Sequence, residues 1–183
     1  IFGTTDPDTG QSIADVILDE AKQKGTGKWT SQNALDLGIP THTINAAVEA
    51  RIISALKEQR VAAEAVFPGP DATFDGDKNV LIEQVRGALY AAILTSYAQG
   101  IALMQAASAE YDYSLDMEAI ARIWRGGCII RAALLEDVRK VYTATPDVAN
   151  LLLVEPFRSQ IAERQAAWRS VVQTAVGLGI PVP

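Results

Sequence analysis

Apolar positions recur at helical spacing along most of the chain and nowhere settle into the sustained alternation of a half-buried strand, so the pattern predicts an all-α fold. Ile13, Val16, Ile17 and Ala21 define a first helix over Ser12 to Gln23, with Asp15, Asp19 and Glu20 on its other side. A short second helix is predicted from Trp29 to Leu37, closed by Gly38. A third opens at Pro40 and runs to about Val66, where Phe67-Pro68-Gly69-Pro70 ends it. Beyond a surface loop reaching Asp77, the stretch from about Asn79 to Glu110 is helical in period and apolar nearly all round, which puts it at the centre of the core. Gly87 and Gly100 within it are read as close helix crossings. Further helices are predicted from Leu115 to about Arg125, from Cys128 to Thr143, over Pro146 to Val154, and from Pro156 to the glycines at 177 and 179. No internal repeat and no long linker divides the chain. The expectation is one all-helical domain over residues 1–183, built round a long central buried helix and without a sheet.

The run from Gly87 to Ala109 carries no charge and is long enough to span a bilayer. Tyr90, Thr95, Ser96, Tyr97, Gln99, Gln105 and Ser108 dilute it, and alanine supplies much of the rest, so a buried helix is the better reading.

Between the first two helices lies Lys24-Gly25-Thr26-Gly27-Lys28-Trp29-Thr30. Glycines that admit positive φ, a following helix N-terminus, lysines and hydroxyls together make the chemistry of an anion pocket. The same residues also fit a glycine C-cap followed by a solvated helix start, and residue types alone leave both open. A nucleotide P-loop does not fit, because Lys22 stands where its first glycine belongs, a helix precedes the loop in place of a strand, and Trp29 replaces the hydroxyl residue after the lysine. Arg51 falls in helical phase with Ile44, Ala47, Val48 and Ala55, near the middle of an apolar stripe, and there it needs a partner. Either Glu58 on the same face or an anion held by the glycine loop would serve.

Composition narrows the partners. An apolar share of 49%, 21% charged residues and a net charge of −6 describe a globular domain, and no lysine or arginine run stands out, so neither nucleic acid nor an anionic membrane is expected as a partner. A single cysteine, Cys128, cannot form an intrachain disulfide, and with no secretory signal at Ile1 the expected location is the cytoplasm. His42 is the only histidine, so metal sites of the usual kinds have little to draw on. Asp6, Asp8 and Gly10 resemble a calcium loop only superficially, since Gly10 comes a position early and Ile17 sits where the bidentate glutamate belongs. The missing initiator methionine and the extended Ile180-Pro181-Val182-Pro183 ending read as a fragment.

The glycine loop, Ala34-Leu35-Asp36-Leu37-Gly38, Ala50-Arg51, Ser54-Ala55-Leu56-Lys57, Arg60-Val61, Ala88-Leu89-Tyr90, Ser96-Tyr97-Ala98-Gln99-Gly100, Trp124-Arg125-Gly126-Gly127-Cys128-Ile129-Ile130-Arg131, Asn150-Leu151-Leu152-Leu153 and Gly179-Ile180-Pro181 span nearly the whole chain in order. In these residues the sequence resembles the C-terminal, all-helical domain of the 6-phosphogluconate dehydrogenase family. The resemblance implies an enzyme of the pentose phosphate pathway that uses NADP to oxidise C3 of 6-phosphogluconate and then loses CO2 to give ribulose 5-phosphate. It implies a homodimer formed through this domain. It also implies that Lys24, Thr26 and Arg51 hold the substrate phosphate, while Lys28 receives no role. The family's Rossmann domain, with its acid–base lysine and glutamate, is expected upstream of Ile1, and an arginine- and histidine-bearing tail downstream of Pro183. On that basis this chain alone is expected to bind NADP poorly and to be inactive. The alternative is a stand-alone helical interaction domain that kept the scaffold without the chemistry.

Overall fold

A computed structural model of the chain describes residues 3–22 and 24–183. Among them the elements are α1 (Ile13–Val16), α2 (Thr26–Asp36), α3 (His42–Ser54), α4 (Lys57–Val66), α5 (Lys78–Glu110), α6 (Met117–Ile123), α7 (Leu134–Ala144), a 3₁₀ turn (Leu151–Leu153) and α8 (Phe157–Gly177). The one β-type pairing is an isolated bridge between Thr5 and Ser12. The all-α expectation therefore stands.

The long helix α5 organises the domain. Asp77 caps it by accepting from the amides of Asn79 at 2.7 Å and Val80 at 3.2 Å, satisfying two of the donors that a helix start leaves free. Its inner face presents Ala88, Ala91, Leu94, Ala98 and Ile101, chiefly to α8. Leu94, Ala98 and Ile101 join Met117 and Ala121 of α6, Leu134, Val138 and Tyr142 of α7, and Val148, Leu151 and Phe157 in one core. Gly87 does mark a helix approach, since a Cβ there would lie 3.7 Å from Ala167 of α8, but nothing approaches Gly100 within 4 Å. The polar groups along α5 are used inside the domain. The Tyr90 hydroxyl donates to Gln160 at 2.6 Å, Gln99 and Thr43 bond reciprocally at 3.1 Å, and Gln105 donates to the Val148 carbonyl at 3.0 Å. By length and apolar composition alone α5 could cross a membrane, with a mean hydropathy of 1.3 over its most apolar window. Its bonds into α3, α8 and the 146–150 segment are those of a core helix.

Four predicted helices differ from the observed ones, and in each case side chains from elsewhere capture backbone groups that the helical ladder would have used. The first helix stops at Val16. The Ala21 amide donates to Ser54 Oγ at 2.8 Å, and the Asp19 carbonyl accepts from Arg60 Nη2 at 2.6 Å. Gln23, the predicted end of that helix, lies outside the described residues. The third helix does not run through to Val66 but breaks at Ala55-Leu56, where the Ser54 carbonyl accepts from Arg60 Nη2 at 3.1 Å. Before α7, residues 128–133 are not helical: Gly127 turns with φ 65°, the Tyr97 hydroxyl donates to the Ile130 carbonyl, and Ile129 stands 98% exposed. Cys128 is thus in a half-buried turn rather than at a helix start. The helix expected over Pro146 to Val154 contracts to one 3₁₀ turn, because Gln105 takes the Val148 carbonyl and the Asn150 side chain takes the Leu152 amide at 2.9 Å.

An ion-pair network fastens α6 to α7. Arg139 reaches Glu136 at 2.7 Å and Glu118 at 3.2 Å, and Arg125 also contacts Glu136. The hydrogen bond from Arg139, reinforced by the charges of Arg125 and Arg139, holds the Glu136 carboxyl down at about 2 against an ordinary 4.5. A carboxylate depressed on folding contributes stability that is present above its unfolded value and is lost as the pH falls through its folded one. Acid should therefore weaken the domain between about pH 4.5 and 2 partly through this residue. Glu136→Gln is expected to flatten that limb of a melting-temperature profile, and an unchanged acid limb would remove Glu136 from the account.

Candidate functional site

Loop and helix meet three residues earlier than the pattern suggested, at Thr26 rather than Trp29. Gly25, with φ 109°, is the N-cap of α2, and Thr26, Gly27 and Lys28 already form its first turn. That conformation is closed to ordinary side chains, and a Cβ at Gly25 would also sit 3.4 Å from the Trp29 ring. Trp29 makes the first helical bond, its amide donating to the Gly25 carbonyl at 2.9 Å. The amides of Thr26, Gly27 and Lys28 are left at the positive end of the helix dipole, with no side chain capping them. The C-terminal end of α2 closes as predicted at Gly38, whose following amide, Ile39, donates back to Ala34 at 2.8 Å.

Gly27 has a different task. A Cβ there would stand 2.8 Å from Val48 Cγ2, so the start of α2 lies against α3 at a distance only glycine allows. Val48 and Arg51 are three residues apart on α3 and share a face. The contact that seats the glycine loop therefore also brings the last turn of α3 alongside it. The Arg51 guanidinium confirms the approach by donating from Nη2 to the Lys22 carbonyl. Arg51 is nevertheless exposed rather than buried in an apolar stripe, and no ion pair joins it to Glu58 among the described residues. Arg51 escapes burial because α3 leaves much of its apolar surface open, with Ile52 and Ile53 exposed in the same turn.

The charges around the loop are unevenly satisfied. Lys22 lies 3.5 Å from Glu20, and Asp19 engages both Arg60 at 2.8 Å and Lys57 at 3.7 Å. Hydrogen bonding from Arg60 holds the Asp19 carboxyl below its ordinary range. Among the described residues no carboxylate pairs with Lys24, Lys28 or Arg51, and all three are exposed. In a chain of net charge −6 this is a local cationic spot at a helix N-terminus, suited to a small dianion.

A groove of about 1040 Å³ elsewhere, between α5, α6 and α7, does not compete for that anion. Arg139 there is already paired with Glu118 and Glu136, and burial raises the Tyr142 phenol, whose hydroxyl has no partner. Sequence reasoning named Lys24, Thr26 and Arg51 but missed Asp19, Ser54 and Arg60, which tie the segment before the loop to the α3–α4 break. Ser54 and Arg60 stood only among the residues that carry the resemblance, and Asp19 on a polar helix face, with nothing in the sequence to join Arg60 to an aspartate 41 residues away.

The sequence model of the family described as 6-phosphogluconate dehydrogenase, C-terminal domain, matches residues 1–183. A decarboxylating 6-phosphogluconate dehydrogenase of Synechocystis sp. is 50% identical over 183 residues, covering 100% of this chain and 38% of that protein. An NADP(+)-dependent, decarboxylating 6-phosphogluconate dehydrogenase of Bacillus subtilis is also 50% identical, over 100% of this chain and 39% of its own length. Among solved structures, Plasmodium falciparum 6-phosphogluconate dehydrogenase, described in its apo form, with its cofactor NADP+ and with its substrate 6-phosphogluconate, superposes with a TM-score of 0.91 at 38% identity. That match covers 99% of this chain and 39% of the other. The chain thus spans about two fifths of the length of the relatives it matches.

Proposed function

The chain belongs to the family of the 6-phosphogluconate dehydrogenase C-terminal domain, and from that premise we propose that it supplies the substrate-phosphate half-site and the dimer contact of a cytoplasmic enzyme that oxidatively decarboxylates 6-phosphogluconate with NADP. The observation that carries this reading is the Arg51 guanidinium bonded to the Lys22 carbonyl at the entry of the glycine loop, beside Lys24 and Lys28, which no carboxylate pairs among the described residues. In it, Arg51 offers directional donors to the phosphate oxygens, Lys24 a point charge, and the Thr26 hydroxyl and the free amides of the first turn of α2 complete the shell. Two cationic side chains meet a dianion, and the sugar acid is held by the end remote from its reacting carbon, so this half-site orients without taking part in bond making.

The described residues contain no strand, hence no strand–glycine turn–helix unit to cradle a dinucleotide. They do not fit NADP as its principal site. Support for a homodimer comes from α5, whose outer side leaves Ile82, Val85, Leu89 and Ile93 exposed at helical spacing, Leu89 by 59%.

In an enzyme of full family length carrying this domain, NADPH formation dependent on 6-phosphogluconate is expected. Lys24→Ala should raise the KM for that substrate by about tenfold or more, the scale of a lost charge-assisted hydrogen bond, and leave the KM for NADP unchanged. An assembled enzyme that turned nothing over would favour the non-catalytic interaction domain instead.

A further inference from the structure

We propose that Arg60 is a positioning residue for the phosphate half-site, latching the segment that carries Lys24 to the end of the helix that carries Arg51; this rests on the half-site reading above. Arg60 touches neither the loop nor any group assigned to the phosphate. Its Nη1 donates to Asp19 Oδ2 at 2.8 Å, while its Nη2 donates both to the Asp19 carbonyl at 2.6 Å and to the Ser54 carbonyl at 3.1 Å. One guanidinium thus spans two pieces of backbone, the irregular 17–22 segment and the last turn of α3. Ser54 adds a second tie, its Oγ accepting from the Ala21 amide at 2.8 Å.

These ties matter because the segment has little order of its own. Beyond α1 its only internal backbone bond runs from the Glu20 amide to the Leu18 carbonyl at 2.8 Å. Lys24 follows Ala21 by three residues, so its backbone stays within about 10 Å of the anchored amide. At the other end, Ser54 is three residues beyond Arg51, one turn along the same face of α3. Fixing Asp19 and Ala21 to Ser54 therefore fixes the loop's approach relative to Arg51. The break between α3 and α4 exposes the Ser54 carbonyl for this purpose, and Arg60 stands one turn into α4 to take it. Lys57 lies at 3.7 Å from Asp19 but reaches no carbonyl, so it contributes charge without the bridge.

The test uses an enzyme of full family length. Arg60→Ala is expected to raise the KM for 6-phosphogluconate about five- to tenfold, below the hundredfold that misplacement can cost at a reacting centre, with kcat and the KM for NADP essentially unchanged. Because Arg60 acts through the loop, adding Arg60→Ala to Lys24→Ala should raise KM less than about twofold further, a coupling that independent sites do not show. Arg60→Lys, which keeps the charge but cannot bridge both carbonyls, should lie between wild type and alanine, and it carries the test if the alanine variant fails to fold. An unchanged KM in both Arg60 variants, full additivity with Lys24→Ala, or a parallel loss in kcat and both KM values would overturn the latch. If Lys24→Ala alone left the KM for 6-phosphogluconate untouched, the half-site reading itself would fall and the latch with it.

Discussion

Arg51→Ala is expected to raise the KM for 6-phosphogluconate about a hundredfold in the assembled enzyme, with the KM for NADP within about twofold of wild type, the scale of roughly 3 kcal/mol for a charged donor lost from a dianion. The effect should exceed that of Lys24→Ala because the guanidinium has two tasks. It offers several donors in a fixed plane, and one of them already holds the Lys22 carbonyl, so in the proposed half-site the alanine variant would lose both a phosphate ligand and the tie to the segment that enters the loop. Arg51→Lys should recover only part of the loss, since a single ammonium cannot serve both. Steady-state kinetics with each substrate varied separately would check this. A general loss of activity, spread equally over both KM values, would mean that Arg51 holds up the fold rather than the ligand.

Phe157→Ala lies on the opposite axis. Phe157 is 0% exposed at the start of α8, inside the cluster that joins Leu94 of α5, Val138 of α7 and Leu151. Truncating such a side chain loses its transfer free energy and leaves a cavity, costing about 3–5 kcal/mol. For a domain of this size that corresponds to a fall in Tm of about 10 °C. The KM for 6-phosphogluconate of the fraction still folded should not move, because the core cluster that holds Phe157 includes no residue of the loop or of α3. Calorimetric melting against kinetics at low temperature separates the two axes, and a fall of only a degree or two would show that the core repacks around the gap.

What could be read from the residues follows a physical line. α5 and α8 were legible because their order is local: a long period of apolar side chains, an Asp77 cap and a Pro156 start act within a few residues of where they stand. Gly25 and Gly38 announced themselves for the same reason, each occupying a conformation that its own residue type selects. The short helices were misjudged wherever a distant side chain bid for the same carbonyl. Nothing in Ser54-Ala55-Leu56 breaks a helix by itself; the break falls where Arg60 takes the Ser54 carbonyl and the Ala21 amide takes the Ser54 hydroxyl. Likewise Gln105 on α5 unmakes the helix that the Pro146 to Val154 pattern predicts. At the candidate site the loop chemistry and Arg51 could be picked out by residue type. The reason they meet, a glycine against Val48, depends on how two helices cross and has no signature in either segment.

The ties that fix the 17–22 segment are a few largely exposed polar bonds, whereas α5 to α8 are joined through a buried apolar cluster. Local opening is easiest where buried apolar contacts are few and hydrogen bonds face solvent. The half-site needs α3, α4 and the N-terminal segment together, and neither α3 nor α4 holds a fully buried residue. It is therefore expected to open locally, through fraying of the final turn of α3, below the free energy of global unfolding. A bound phosphate, by closing the same gap between Lys24 and Arg51, would act on this local equilibrium before it acted on the stability of the whole.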